Sequence, residues 1–190
     1  MIQNDKCSLV IDGSRPAAPR RGDGEVRSLA GAAGKQGTIV HFLVNVGGGV
    51  WSGTKTLAAY HRPRWRVMLV AVYKGQLSPD FAAEVEECFD GAYLVRRPPI
   101  KGIYYLAPVR VAAAVEALGL DPRAEDVVYH LHTGPYTRWT YRLPRGRRSG
   151  TWLASFHGAR GTFRDENNVA KRWLNVAGAR WLKRNDFTLV

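Results

Sequence analysis

The chain has 190 residues, 45% of them hydrophobic and 11% aromatic, enough for one well-filled domain and hardly for two. A net charge of +12 and a pI of about 10.2 favour anionic partners such as phosphates, nucleic acid or an acidic membrane face, although arginine-rich composition also serves solubility alone. The longest apolar run, VMLVAVY at 67–73, is far too short to cross a bilayer, and two cysteines without metal spacing, Cys7 and Cys88, fit a reduced, cytoplasmic setting.

Residues 1–36 are rich in Gly, Ala, Arg, Pro and Ser and carry no sustained period, so a disordered basic tail is expected there. The first fifteen lack the charged start and long apolar stretch of a signal peptide, so none is expected. A folded domain is expected over 37–190. TIVHFLVNV (38–46) reads as a buried strand, and three glycines, Gly47, Gly48 and Gly49, lead into a short helix at 51–61 closed by Pro63. WRVMLVAVY (65–73) is a second buried strand. SPDFAAEVEECF (78–89) starts a helix with Ser78 at its cap and Pro79 at its first position. GAYLVRRP (91–98) is a third strand, and 107–120 is a helix ended by Gly119. EDVVYHLHT (125–133) is a fourth strand, 135–143 a short helix, 144–150 a basic turn, and TWLASFHG (151–158) a fifth strand. A long amphipathic helix follows at 166–185. On it Trp173, Ala177 and Trp181 are expected to pack on the sheet, the alternative being an apolar face with a basic rim that meets an anionic membrane. DFTLV (186–190) begins a sixth strand; an end at so apolar a point reads as a cut, so the domain is expected to be truncated there.

Strict alternation of strand and helix implies right-handed crossovers and an α/β fold, a mostly parallel sheet with helices on both faces. Ligands of such sheets bind beyond the carboxyl ends of the strands. Glycines, histidines and cations dominate the residues placed there, which include Gly47–Gly49, Lys74, Arg96, Arg97, His130, His132, Thr133, His157 and Arg160. Glycines after the first strand let backbone N–H groups approach a phosphate at a helix N-terminus, although a tight turn alone also uses glycine. The phosphate-loop pattern is absent, because Thr54 separates Gly53 from Lys55. A dinucleotide fingerprint meets Ser52 where its third glycine belongs, and the second strand ends in Lys74 rather than an acid, a feature that could still suit NADP. His130 and His132 share one strand face, and His157 leaves the next strand at the same edge. No carboxylate or cysteine completes a metal set with them, so no metal is expected. Ser155 lacks the Gly-x-Ser-x-Gly elbow of a hydrolase.

Four features in order, VNVGGGVWSGTKTLAAY, EDVVYHLH, WLASFHGARGTF and the long helix before FTLV, are similar to the N-terminal domain of GT-B glycosyltransferases. This is the large retaining family that includes phosphatidylinositol mannosyltransferases and sucrose synthases. The resemblance covers roughly residues 37–190. It implies a Rossmann-like domain, one half of a two-domain fold, that binds a glycan or lipid-linked acceptor. It implies that Gly47, Gly48 and Gly49 touch the donor diphosphate or acceptor and that His157 sits beside the transferred sugar. His132, Thr133, Arg160 and Arg164 would bind the acceptor. It implies no cofactor, and a nucleotide-sugar donor held mostly by a missing C-terminal domain or partner subunit, without which the chain is inactive. Asp126 stands one residue further from the histidine pair than in the family. The implied location is cytoplasmic, at the inner membrane face. The alternatives from the residues alone are a basic nucleic-acid-binding module, for which no recognisable motif is present, and an NADP-type oxidoreductase domain.

Overall fold

Six parallel strands lie in the order third, second, first, fourth, fifth, sixth, the doubly wound arrangement of the Rossmann fold. In this computed structural model residues 24–28, 35–44, 46–74, 78–97, 108–133, 137–144, 149–157 and 169–190 are described, residues 24–28 by backbone alone. The six strands are β2 (Thr38–Leu43), β3 (Arg66–Lys74), β4 (Gly91–Arg97), β6 (Val127–Thr133), β8 (Thr151–Phe156) and β9 (Thr188–Leu189). An edge strand, β1 (Gly24–Ser28), runs antiparallel to β4, so the unstructured tail expected over 1–36 is corrected at these residues. A separate small ribbon pairs β5 (Val109–Arg110) with β7 (Tyr141–Arg142).

Sequence order reverses between β2 and β6, which pair in parallel from Thr38–Val127 to Leu43–His132. That is the topological switch point, where the crossovers leave in opposite directions and a crevice opens at the carboxyl ends. Because side chains alternate along a strand, Val40, Phe42, Tyr129, Leu131 and Ala154 enter one core, and Leu43, Leu69, Ala71 and Leu94 enter the other.

Helices α1 (Gly48–His61) and α2 (Pro79–Cys88) cover the second face. Helix α1 packs through Trp51, Thr54 and Ala58, three residues at helical spacing. Its Trp51 indole donates to Glu84 of α2 at 2.7 Å, and Lys55 pairs with the same carboxylate at 2.9 Å. Ser78 caps α2 by accepting from the Phe81 N–H, with Pro79 in the first turn, as the sequence implies. Helix α3 (Val111–Ala117) packs on the first face, starts later than the pattern suggested, and is stopped by Gly119 at φ 71°. The short α4 (Thr137–Thr140) precedes β7, whose buried Tyr141 donates its hydroxyl to the carbonyls of Leu43 and Val70.

Helix α5 (Val169–Arg184) contradicts one expectation. Its buried line is Asn175, Gly178 and Leu182, and Trp173 is 64% exposed rather than core. At 3.6 residues per turn, Trp173 points almost opposite to Asn175. Trp181 is half-buried against Phe187, which in turn meets Trp152 edge-on. Just before β8, Gly150 has φ 74°, and a Cβ there would stand 2.3 Å from the Val127 carbonyl. Glycine at this position is what lets β8 come alongside β6.

Candidate functional site

Two features meet at the carboxyl edge of the sheet, on either side of β6. The first is the glycine loop. Gly47, Gly48 and Gly49 are all exposed, and a Cβ added at any of them would meet nothing within 4 Å. Packing within the chain therefore does not demand three glycines. Gly48, at φ 63°, needs one for its own conformation, and Gly47, at φ 158°, lies at the limit of what other residues adopt. No side chain caps α1 and no acid lies in its first turn, so its leading N–H groups and positive dipole end face outward.

The second feature is a row of histidines. The parallel register sets His41 of β2 beside His130 of β6, and His132 of β6 beside Ser155 of β8. Alternation then places His41, His130, His132 and Ser155 on one face, with His157 two residues beyond Ser155. His41 Nδ1 and His132 Nε2 share a hydrogen bond of 2.9 Å; His132 Nδ1 and His157 Nε2 share another of 2.9 Å. His130 Nε2 meets Ser155 Oγ at 2.7 Å. The row runs from the fully buried His41, under the edge of Phe89, to the exposed His157 at the rim.

These imidazoles are neutral at physiological pH. Burial, then the charges of His130 and His61, push His41 down to about 3. Burial, then His157 and His61, take His130 to about 4, and burial with its three histidine neighbours takes His132 to about 2. Burial lowers His157 too. A neutral ring has one N–H and one lone pair, so the chain His41–His132–His157 must run in a single direction. Whichever direction holds, the buried His41 Nε2 is left without a partner. At the outer end, Nδ1 of His157 is free to meet a ligand among the described residues.

The sequence-predicted sites are therefore partly assembled. Gly47–Gly49, His132 and His157 share one edge. Thr133 ends β6, and only its backbone is described. Arg160 and Arg164 lie outside the described residues. His41 was missed; it joins His130, His132 and His157, the three histidines that the sequence singles out. The signal was a lone histidine in an apolar strand, but only the β2–β6 register reveals its partners.

Away from this edge, Arg138 of α4 and Arg172, Trp173, Arg180, Trp181 and Arg184 of α5 line a groove of about 590 Å³. Arg172, Arg180 and Arg184 have no ion-pair partner among the described residues. No helix among the described residues is long and apolar enough to cross a membrane. No family model, curated protein or solved structure matches this chain.

Proposed function

We propose that this chain is the acceptor-side half of a sugar transferase that uses a nucleotide-sugar donor, working with a second domain or subunit that holds most of the nucleotide. The supporting observation is the pairing of an open glycine loop and an exposed histidine across β6, at the switch point of a Rossmann sheet. In the reaction the bond between the sugar carbon and the diphosphate oxygen breaks, and the electron pair leaves on the diphosphate. The acceptor hydroxyl oxygen forms the new bond and gives up its proton to the departing diphosphate. Outward N–H groups at Gly47–Gly49 stabilise charge that grows on the leaving diphosphate or lies on an anionic acceptor. His157, held through Nε2 by His132, offers Nδ1 to a sugar hydroxyl. His132 orients it, and Thr133, Arg160 and Arg164 contribute to acceptor binding. The same sheet order serves dinucleotide enzymes, but Ser52 in the fingerprint speaks against that use, and Lys74 at the end of β3 speaks against NAD in particular.

The test is a transfer assay on the gene product that contains this chain, with a panel of radiolabelled nucleotide sugars and lipid or glycan acceptors. Gly49→Asp, at an ordinary backbone conformation with open space around it, puts a negative charge where the diphosphate would lie and is expected to lower turnover at least ~10²-fold. His157→Ala is expected to do likewise, and both variants should melt within a few degrees of wild type. Wild-type turnover in both, or no transfer from any donor, would remove the reading.

The α5 groove suits a peripheral contact with anionic lipid, with exposed Trp173 between Arg172 and Arg180. Each basic residue near such a surface contributes roughly 1 kcal/mol. Replacing Arg172, Arg180 and Arg184 by Glu should therefore cut sedimentation with phosphatidylglycerol vesicles by about two orders of magnitude. Equal binding of wild type and variant, or equal binding to neutral vesicles, would refute this contact.

A further inference from the structure

We propose that His41, His130 and His132 form a binding site for one zinc-class divalent cation, reached from the sheet edge past His157. The site does not depend on the sugar-transfer reading. One ring nitrogen of each of the three residues lies within 4.8 Å of the others, and all three side chains are buried. A tetrahedral zinc ion with bonds of 2.0–2.1 Å needs its nitrogens about 3.3 Å apart, a modest contraction or relaxation of what is already present. His41 Nδ1 and His132 Nε2, now 2.9 Å apart, would separate slightly to admit the ion.

Three observations point from this cluster to a ligand. The first is composition. Five histidines occur in the whole chain, and four are gathered here from three strands. The second is the convergence of ring nitrogens. His41 Nδ1 and His132 Nε2 face each other at 2.9 Å, both on buried rings, and His130 lies beside them. A bound cation takes the lone pairs together and fixes each ring's tautomer. The third is the outer support. Metal-bound histidines keep their other nitrogen on a polar group. His130 has Ser155 Oγ at 2.7 Å in that position, and His132 has His157 Nε2 at 2.9 Å.

The donor set also selects the ion. Three neutral imidazoles with no carboxylate suit zinc, copper, nickel or cobalt, and offer nothing to magnesium or calcium, which require oxygen. Burial favours the neutral, ligating form of each ring. Three protein ligands leave a fourth position for water or a ligand atom. The register explains why the cluster is this tight: His41 and His130 are cross-strand neighbours, and His132 follows His130 by two on the same face.

The experiment uses the chelator-stripped chain without a histidine tag. Isothermal titration with zinc chloride should give one ion per chain. Titration with cobalt should give the visible absorption of a tetrahedral nitrogen site, and magnesium should give neither. His130→Gln and His41→Gln should each weaken zinc binding by more than the ~10–100-fold expected for loss of an outer-shell partner. Circular dichroism identifies a variant that does not fold, and such a variant is set aside. The wild type then decides by long-range nitrogen NMR. Zinc should move the ring nitrogens of His41, His130 and His132 and leave His61, on α1, unmoved. Absence of one-to-one uptake, uptake undiminished in folded His130→Gln, or ring shifts confined to His61 or His157 would overturn the site.

Discussion

Acidification from pH 7 to pH 5 in the presence of chelator should strip this protein of much of its stability, with the loss beginning near pH 6.5. In the fold His41, His130 and His132 are held down at about 3, 4 and 2, whereas in the unfolded chain each titrates near 6.5. Below 6.5 the unfolded state therefore binds more protons than the folded state, and stability falls with pH. Each group contributes about 1.4 kcal/mol per pH unit in that window, so three lose roughly 6 kcal/mol by pH 5. A domain of this size holds about 5–15 kcal/mol in total. Urea unfolding monitored by tryptophan fluorescence at several pH values measures the slope. His130→Gln should flatten it by about a third. A stability independent of pH between 5 and 7 would mean that the three rings are not buried as neutral groups.

Asp90→Ala should cost about 3–4 kcal/mol at pH 7, the largest effect expected of any single charged side chain described here. Asp90 is buried at the junction before β4. It accepts from Lys35 Nζ at 2.7 Å, from the Val67 N–H at 2.9 Å and from Arg62 Nε at 3.2 Å. Arg62 also donates to the Glu87 carbonyl. One carboxylate thus joins the segment that leads into β2, the end of α1, β3 and the start of β4. Burial alone would raise its pKa, but Lys35, the Val67 N–H and Arg62 outweigh that and hold it below the usual carboxylate value. The sign follows: its contribution is present above the unfolded pKa near 3.8 and disappears as pH falls through the lower folded value. Asp90→Asn, which keeps an acceptor for Val67, should recover part of the loss. Denaturant midpoints of the two variants at pH 7 and pH 3 measure both statements. A cost below 1 kcal/mol for Asp90→Ala would show that the network is surface-like.

The layered α/β class was legible because buried parallel strands announce themselves. VMLVAVY has no other role than a two-sided core strand, and Ser78-Pro79 and Gly119 mark helix ends by mechanisms that act locally. What stayed hidden depended on partners. Trp173 looks like core from the helical pattern, yet the sheet takes Asn175, Gly178 and Leu182 instead, because contact with the sheet sets the rotation of α5. Residues 24–28 have little strand character of their own and are ordered by the open edge of β4.

The candidate site divides the same way. Gly47–Gly49, His132 and His157 could be found because each follows or ends a recognisable strand. His41 could not, because its chemistry comes from a neighbour 91 positions away in the chain. Periodicity gives the face on which a strand residue stands, but not the strand beside it.

The switch between β2 and β6 also has a consequence in time. While the chain is being synthesised, β2 can pair with β3 and then β4, since these follow at once. Its other flank stays bare until residues 127–133 have emerged and docked. Until then His41 titrates like a peptide histidine, and an unshielded central ribbon invites pairing with a foreign strand. Maturation of the imidazole row is thus a late event of biogenesis, and the nascent chain is most vulnerable just before β6 arrives.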